Sequence, residues 1–220
     1  MNLVFIGAQG SGKGTQASVL IEQLGVRQLS SGDIFRTAIT HGTPLGLEAQ
    51  KYMDRGELVP DSITIRLVLD LLATPEYTSG VILDGFPRTR DQAIALDDAL
   101  PGLERSIDAA IYLNVPQHLL LERLLSRYVC TKNQHVYNLK SKPPLVDGIC
   151  DIDGSPLIQR TDDTPANIKR RLQIFFEQTI QVVHYYRAQH KLIEIDGNQP
   201  IKAVSDSLLR SLTVRPENAA

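Results

Sequence analysis

Four short runs of apolar residues along the chain predict the strands of a buried parallel sheet. The first three are uninterrupted, as a strand covered on both faces requires, and each of the four is followed by glycine, aspartate or asparagine. The runs are residues 3–6, 81–83, 109–113 and 192–195. Because segments with helical periodicity separate these runs, the pattern predicts an α/β fold with right-handed crossover connections.

Helical periodicity marks several of the segments between these runs. Residues 13–24 are predicted to form a helix directly after a glycine-rich stretch. Three further stretches, residues 31–40, 45–55 and 61–72, are separated by glycine and proline. They predict a small helical insertion between the first strands.

The pattern changes between residues 127 and 163. This region contains both cysteines, two adjacent prolines, and short alternating patches of polar and apolar residues, so it predicts short strands and turns. Thr164 then supplies an N-cap and Pro165 the first position of a helix. The apolar spacing that follows predicts one long helix to about residue 190.

Composition and charge exclude several classes of protein. The chain has 220 residues, a net charge of -2 and no basic excess, which argues against a nucleic-acid-binding protein. No signal peptide and no stretch of ~20 apolar residues is present, so we expect no membrane segment. Two cysteines do not make a disulfide framework, and we expect a cytoplasmic, reducing environment.

A glycine-rich loop after the first strand predicts a phosphate-binding site. Residues 7–15 read Gly-Ala-Gln-Gly-Ser-Gly-Lys-Gly-Thr, and the following helix adds favourable partial charge. Lys13 would reach the β- and γ-phosphates, and Thr15 would help to order Mg²⁺. Gly14 stands where the strict motif has the hydroxyl residue, so metal contact through water is expected. A glycine-rich turn that binds nothing is the alternative, and the loop alone does not separate kinases from other nucleotide hydrolases.

Asp84 and several arginines suggest further ligand contacts. Asp84 ends a predicted strand, where a carboxylate can hold Mg²⁺ through water, although it could also be a turn or capping residue. Arg123 and Arg127 are four residues apart on a predicted helix, and Arg171 lies on the apolar side of another. Each arginine alone could be an ordinary surface residue, but together they would bind an anion.

The motifs resemble those of the adenylate kinase family, in particular its long-lid bacterial type. The resemblance runs from Met1 to about Leu212. It is carried by the phosphate loop, by residues 83–88 (Leu-Asp-Gly-Phe-Pro-Arg), by Ser31-Gly32-Asp33 with Arg36, by Leu58-Val59-Pro60-Asp61, by Arg123 with Arg127, by Arg160-Thr161-Asp162-Asp163, and by Arg171.

The resemblance implies a P-loop nucleoside-triphosphate-hydrolase-like fold and the reversible, Mg²⁺-dependent reaction of ATP and AMP to two ADP. The fold would have a parallel five-stranded sheet flanked by helices, a helical insertion and a small β-rich lid. The implied divisions are a core of residues 1–29, 60–126 and 164–220, an AMP-binding insertion of residues 30–59 and a lid of residues 127–163. Insertion and lid would move, and the enzyme would be a monomer.

The resemblance also implies the roles of individual residues. For ATP these are Gly10, Ser11, Gly12, Lys13, Gly14, Thr15, Arg127, Val136, Tyr137 and the main chain at Gln199. For AMP they are Ser31, Arg36, Glu57, Leu58, Val59, Gly85, Phe86, Pro87, Arg88, Gln92, Arg160 and Arg171, with Gln92 at the adenine edge. Lys13, Arg88, Arg123, Arg127, Arg160 and Arg171 would act on the transferred group, with Asp162 and Asp163 bracing the arginines. Mg²⁺ would be held near Asp84 and Thr15.

Some relatives bind structural zinc in the lid. The corresponding positions here would be Cys130, Asn133, Cys150 and Asp153, and asparagine is a poor zinc ligand. A hydrogen-bonded polar cluster with reduced thiols is therefore the favoured expectation.

Two other functions remain open on the residues alone. A UMP/CMP-type kinase shares much of this pattern, although Gln92 and the long lid favour AMP. A nucleotide-dependent switch is the second, but it has no use for a second phosphate pocket around Arg36 and Arg88.

Overall fold

The core of the protein is a sheet of five parallel strands. A computed structural model describes residues 1–213, and within them the strand order is β2-β3-β1-β4-β8. The strands of this sheet are β1 (Asn2–Ile6), β2 (Arg27–Ser30), β3 (Val81–Asp84), β4 (Ala109–Asn114) and β8 (Leu192–Asp196). The predicted parallel sheet is confirmed, and residues 214–220 of the expected core lie outside the described residues.

Both faces of the sheet are buried, as the uninterrupted apolar runs predicted. In β1, Val4 and Ile6 belong to one hydrophobic cluster, while Leu3 and Phe5 belong to another. All four side chains are at most 2% exposed. Because successive side chains of a strand point to opposite faces, these clusters are the two layers between sheet and helices.

Helices surround the sheet on both faces. Their bounds are α1 (Lys13–Leu24), α2 (Ser31–Thr40), α3 (Pro44–Met53), α4 (Asp61–Leu72), α5 (Arg90–Ala99), α6 (Gln117–Leu125), α7 (Pro165–Ile174), α8 (Ile180–Ala188) and α9 (Ile201–Thr213), with 3₁₀ turns at Pro75–Tyr77 and Leu100–Leu103. None of the helices within residues 1–213 is long and apolar enough to cross a membrane.

The helical insertion has a small core of its own. Phe35 of α2, Ala49 of α3 and Val59 are buried together and form a cluster separate from the two layers of the main sheet. Thr43 caps α3, since its hydroxyl accepts a hydrogen bond from Gly46 N at 3.1 Å. The predicted helices over residues 31–40 and 61–72 have the observed bounds. The helix predicted over residues 45–55 is α3, which begins at Pro44 and ends at Met53.

A second, antiparallel sheet forms the β-rich region. It contains β5 (Arg127–Cys130), β6 (Val136–Asn138) and β7 (Leu157–Ile158), in the order β6-β5-β7. Tyr137 and Cys150 are 2% exposed in its small core. The prediction of short strands and turns in this region is confirmed.

The predicted helix over residues 164–190 is interrupted by a π-helical segment. The helix begins as α7 after Thr164, whose hydroxyl accepts from Asn167 N at 3.3 Å. Phe175–Thr179 then form the π-helical segment, and α8 continues from Ile180. Apolar spacing alone did not indicate this change, because the buried positions before and after it each fit helical periodicity.

We predict that Gly46→Ala destabilises the helical insertion. A Cβ at this position would lie 2.2 Å from the carbonyl oxygen of Ala38, so α2 and α3 would have to move apart. The free energy of unfolding, measured by urea denaturation, should fall by about 1–3 kcal/mol. The control is Gly102→Ala, where no atom lies within 4 Å of the added Cβ. Equal stabilities of the two variants would contradict the prediction.

Candidate functional site

A large cavity lies at the carboxyl ends of the parallel strands. Its volume is about 1270 Å³, which exceeds the roughly 300–1,000 Å³ of a site for one drug-sized ligand. The lining includes all the cations that the sequence singled out: Lys13, Arg36, Arg88, Arg123, Arg127, Arg160 and Arg171. The cavity therefore has both the size and the charge for two phosphorylated ligands.

The glycine-rich loop forms one wall of the cavity. It connects the end of β1 to the start of α1, as predicted. Gly10 and Gly12 have φ angles of 83° and 100°, which other residues rarely adopt. These angles let the loop curve around the N-terminus of α1, where free N–H groups and the helix dipole favour an anion.

Lys13 lies within this loop. Its ammonium group donates to the carbonyl oxygens of Gly7 at 2.8 Å and of Ala8 at 3.2 Å. Burial lowers the pKa of Lys13 to about 8, although the nearby carboxylate of Asp84 raises it. A phosphate beside the ammonium group would offset the cost of burying this charge.

The residues near the loop fit a hydrated Mg²⁺ ion. Asp84 ends β3 and accepts from Gln28 Nε2 at 3.2 Å, and both Asp84 and Thr15 line the cavity. A Cβ on Gly14 would lie 3.7 Å from Oδ2 of Asp84. The absence of a side chain on Gly14 thus leaves space beside a carboxylate, and carboxylate and hydroxyl oxygens with water are the ligands that Mg²⁺ prefers.

Two buried carboxylates hold the arginines on the far side of the cavity. Arg127 donates twice to Asp163, from Nε at 2.8 Å and from a terminal nitrogen at 2.5 Å. Arg171 donates to Asp162 and lies 3.6 Å from Asp163. Asp162 and Asp163 are 7% and 4% exposed, so these pairs are largely removed from water. The expected bracing contacts are therefore present.

Arg36 and Arg160 share a third carboxylate. Arg36 donates to Asp33, and a terminal nitrogen of Arg160 lies 3.7 Å from the same carboxylate oxygen. Although burial alone would raise it, the two guanidinium groups hold the pKa of Asp33 below its ordinary value. Within residues 1–213, the Nε atoms of both arginines are buried and have no hydrogen-bond partner. These two donors match the oxygens of a bound phosphate.

Arg88 is held by the backbone. Its Nε donates to the carbonyl oxygen of Gly85 at 2.7 Å, and within residues 1–213 no carboxylate lies within ion-pair distance of it. Burial and the positive charge of Arg171 lower the pKa of Arg88 to about 10. Arg123 is similarly held, donating to Gly197 O at 3.0 Å. Positive charge in the cavity is thus only partly balanced by protein carboxylates.

The expected monophosphate side of the cavity contains all but one of the predicted residues. Ser31 donates to Gly85 O at 2.7 Å, and Gln92 is 2% exposed. Glu57 accepts from Arg55 at 2.8 Å, which balances its negative charge. Glu57, Leu58, Val59 and Pro87 also line the cavity.

Phe86 is a correction to the predicted site. Its side chain is fully buried in the hydrophobic layer with Val4 and Leu83, and it does not line the cavity. An aromatic ring gains more from this apolar layer than from a site lined with charges.

The lid contains four potential metal ligands, and they differ from the predicted set. Ligand atoms of Cys130, His135, Cys150 and Asp153 all lie within 4.8 Å of one another. Thiolate, imidazole and carboxylate are the donors that zinc accepts, so these residues fit a zinc ion. Asn133 is a poor zinc ligand, and its amide donates to Asp153 at 2.7 Å. Its place is taken by His135, whose Nδ1 is 3.4 Å from Cys150 Sγ.

Three residues predicted to contact the nucleotide, two in the lid and one after β8, are accessible in part. Val136, Tyr137 and Gln199 line the cavity. The Tyr137 hydroxyl, however, contacts Cys150 Sγ at 3.4 Å and accepts from Asp151 N at 2.8 Å. Because this side chain belongs to the core of the lid, only its main chain is free for a nucleotide.

Three residues of the site received no individual role from the sequence, although Asp33 and Asp61 belong to motifs that carry the resemblance. Asp33 precedes Arg36 by three residues in a helix, and that spacing could have indicated the pair. His135 is two residues beyond Asn133, where the pattern of cysteine pairs gives no signal. Asp61 accepts from Gln92 Nε2 at 2.7 Å across 31 residues, which no local pattern predicts.

Comparisons with known proteins agree with this geometry. The family model described as adenylate kinase matches residues 5–191. The chain is 47% identical over 212 residues to the adenylate kinase of Moorella thermoacetica, with 96% of this chain and 98% of that protein covered. It is 44% identical over 212 residues to that of Clostridium perfringens (strain SM101 / Type A), with the same coverage. It is 43% identical over 204 residues to that of Clostridium botulinum (strain Loch Maree / Type A3), covering 93% and 94%.

We predict that ATP binding is coupled to protonation of Lys13. With a pKa of about 8, Lys13 is mostly neutral in the free protein at pH 8.5, and bound phosphates favour its charged form. Binding should therefore take up roughly half a proton or more at this pH. Calorimetry in buffers of different ionisation enthalpy measures the uptake. It should disappear in Lys13→Met, and an uptake equal to that of the wild type in this variant would assign it to another group.

Proposed function

The chain belongs to the adenylate kinase family, and we propose that its cavity holds ATP and AMP end to end, so that the γ-phosphoryl group of ATP is transferred directly to AMP. The chain is a nucleoside monophosphate kinase, and the reaction gives two ADP. The observation that carries the proposed arrangement is that the seven cations singled out in the sequence all line one cavity, where carboxylates balance them only partly. A UMP/CMP-type kinase and a nucleotide switch are not favoured.

On the donor side, the phosphate loop and Lys13 would bind the ATP phosphates. Gly10, Ser11, Gly12, Gly14 and Thr15 would surround them, and Ser11 Oγ is buried and has no hydrogen-bond partner in the part of the chain that the structure describes. Arg123 and Arg127 would contact the transferred group, with the main chain at Val136, Tyr137 and Gln199 near the nucleoside. Mg²⁺ near Asp84 and Thr15 would supply charge neutralisation of the phosphates.

On the acceptor side, Arg36 and Arg88 would bind the AMP phosphate. Gln92 would contact the adenine edge, and Ser31, Gly85, Pro87 and the main chain from Glu57 to Val59 would surround the nucleoside. Arg160 and Arg171 lie between the two sides and would contact the transferred group. Asp162 and Asp163 would keep the guanidinium groups of Arg127 and Arg171 in place before substrate binds.

The chemistry needs position and charge, without a general base. The acceptor is a phosphate with a second pKa of ~6, which is largely ionised at neutral pH. Phosphoryl transfer has a loose transition state, whose charge the arginines and Lys13 would stabilise. Guanidinium groups suit this role because they bind two phosphate oxygens at once.

Water is the competing acceptor, so we propose that the site closes before transfer. The proposed moving parts are the lid, residues 127–163, and the AMP-binding insertion, residues 30–59. The core would be formed by residues 1–29, 60–126 and 164–220. The lid contains a small hydrophobic cluster of its own, and Phe35, Ala49 and Val59 form a second cluster in the insertion, with Ile63 and Leu67 of α4 packed against it. These separate clusters support the movement of the two parts as units.

We further propose that the enzyme is a cytoplasmic monomer. Every group of the proposed site comes from one chain, so no second copy is needed to complete it. Both cysteines are free, which suits a reducing compartment.

We propose that the lid holds a structural zinc ion through Cys130, His135, Cys150 and Asp153. The sequence favoured a metal-free polar cluster because Asn133 is a poor ligand, and His135 removes that objection. The contact of 3.1 Å between Cys130 Sγ and Asp153 Oδ2 and that of 3.4 Å between His135 and Asp153 suit ligands of one small ion.

The reaction is tested by incubating the protein with Mg²⁺ and ATP together with each common nucleoside monophosphate. Rapid ADP formation with AMP alone is expected, whereas slow hydrolysis of ATP regardless of the monophosphate would indicate a switch.

In Arg88→Ala, turnover should fall on the order of 10²- to 10³-fold, because a charge opposite the transferred group is lost. Its thermal unfolding midpoint should hardly change. Arg90→Ala is the matched control, since Arg90 is exposed.

The zinc proposal is tested by metal analysis of protein purified without chelators. One zinc per chain is expected, and its removal should lower the thermal unfolding midpoint, because metal binding contributes to folding of the lid. His135→Ala should lose the metal, whereas Asn133→Ala should keep it. Metal-free protein with an unchanged midpoint after chelator treatment would support the polar cluster instead.

A further inference from the structure

The buried side chain of Gln92 is held at both ends of its amide group. Oε1 accepts from the backbone N–H of Arg88 at 2.7 Å, and Nε2 donates to Asp61 Oδ1 at 2.7 Å. Gln92 is 2% exposed and lines the cavity. An amide has two N–H donors and two acceptor lone pairs, so one of each remains for a ligand.

These two partners determine which way the amide faces. A backbone N–H only donates and a carboxylate only accepts, so the reversed amide would place donor against donor at Arg88 and acceptor against acceptor at Asp61. In a buried position both lost hydrogen bonds would remain unsatisfied. One orientation of Gln92 is therefore strongly favoured.

Asp61 is itself held in place by neighbouring groups. Its second oxygen, Oδ2, accepts from the Thr89 hydroxyl at 2.7 Å, and Thr89 in turn accepts from Gln92 N at 3.1 Å. Asp61 is also the first residue of α4, where the helix N-terminus favours a negative charge. The orientation of the Gln92 amide thus depends on a side chain that is fixed before any ligand binds.

This orientation matches one kind of purine. Adenine presents an amino donor at position 6 beside an acceptor at N1, which the free lone pair and the free N–H of one amide can meet together. Hypoxanthine and guanine present the reverse, an acceptor at position 6 and an N–H at N1. They would need the reversed amide.

We infer that Asp61 is a specificity-determining positioning residue, which selects 6-amino purine monophosphates over 6-oxo purine monophosphates by fixing the amide orientation of Gln92. The inference rests on the proposed function, in which Gln92 contacts the acceptor base. Asp61 acts through Gln92 and needs no contact with the substrate.

The test compares AMP with IMP, which carries the 6-oxo base hypoxanthine. In Asp61→Leu, the ratio of kcat/KM for AMP to that for IMP should fall on the order of tenfold or more, because Gln92 loses the acceptor that holds its amide. The loss should lie in KM for AMP, while KM for ATP and the kcat with saturating AMP stay close to the wild type. If Asp61→Leu does not fold, Asp61→Ala is measured in the same way.

Two further variants separate hydrogen bonding from charge. Asp61→Asn loses the charge but keeps an acceptor oxygen, and Thr89 can accept from its amide, so it should retain most of the selectivity. Asp91→Leu removes an exposed acid of the first turn of α5 and should behave as the wild type. If Asp61→Asn loses selectivity as fully as Asp61→Leu, charge is responsible and the inference is wrong.

The remaining outcomes distinguish this inference from the proposed function. A folded Asp61→Leu variant that keeps the wild-type ratio would overturn the inference and leave the kinase activity intact. Wild-type protein that phosphorylates AMP and IMP equally would overturn the base-reading role of Gln92 as well, but not phosphoryl transfer. Wild-type protein that phosphorylates neither would overturn the proposed function itself.

Discussion

The structure depends on keeping mutually repelling cations close together in one cavity. Arg36, Arg160 and Arg171 converge on few carboxylates, and burial together with neighbouring positive charge lowers the pKa of Arg160 below its ordinary value. Buried ion pairs cost desolvation energy, so a contribution to the stability of the fold does not by itself explain why Asp162 and Asp163 are buried here. Under the proposed function they are explained, because they would hold the guanidinium groups in place until a more highly charged anion binds.

The parallel sheet makes this arrangement possible. The carboxyl ends of β1 and β3 lie side by side, so the phosphate loop and Asp84 meet although 69 or more residues separate them in the chain. The insertion and the lid then contribute residues from regions with small cores of their own. The sheet therefore fixes the positions of the phosphate loop and Asp84, while Arg36 and Arg127 come from the insertion and the lid.

What could be predicted from sequence was local. The phosphate loop follows from spacing within a single segment, whereas most of the arginines were identified through the resemblance to a known family. The prediction that Arg123 and Arg127 share a helix is wrong, because α6 ends at Leu125 and Arg127 begins β5. In contrast, β2 has one buried apolar residue, Leu29, and as an edge strand shows no apolar run. The direction of Phe86, the position of His135 in the lid and the partner of Gln92 depend on how distant segments meet. Because periodicity along the chain does not predict contacts between distant segments, these features could be identified only in the structure.

The π-helical segment between α7 and α8 has a consequence for how this helix can change. A π-helical segment accommodates one residue more than the α-helical geometry around it. The rotation of α7 about its axis is therefore set by the carboxylates that Arg171 contacts. The rotation of α8 is set separately by the packing of Val182 and Tyr186, which are fully buried. Substitutions that change the packing of α8 therefore need not rotate α7, which bears Arg171. The two helices can diverge separately among descendants of one ancestral chain.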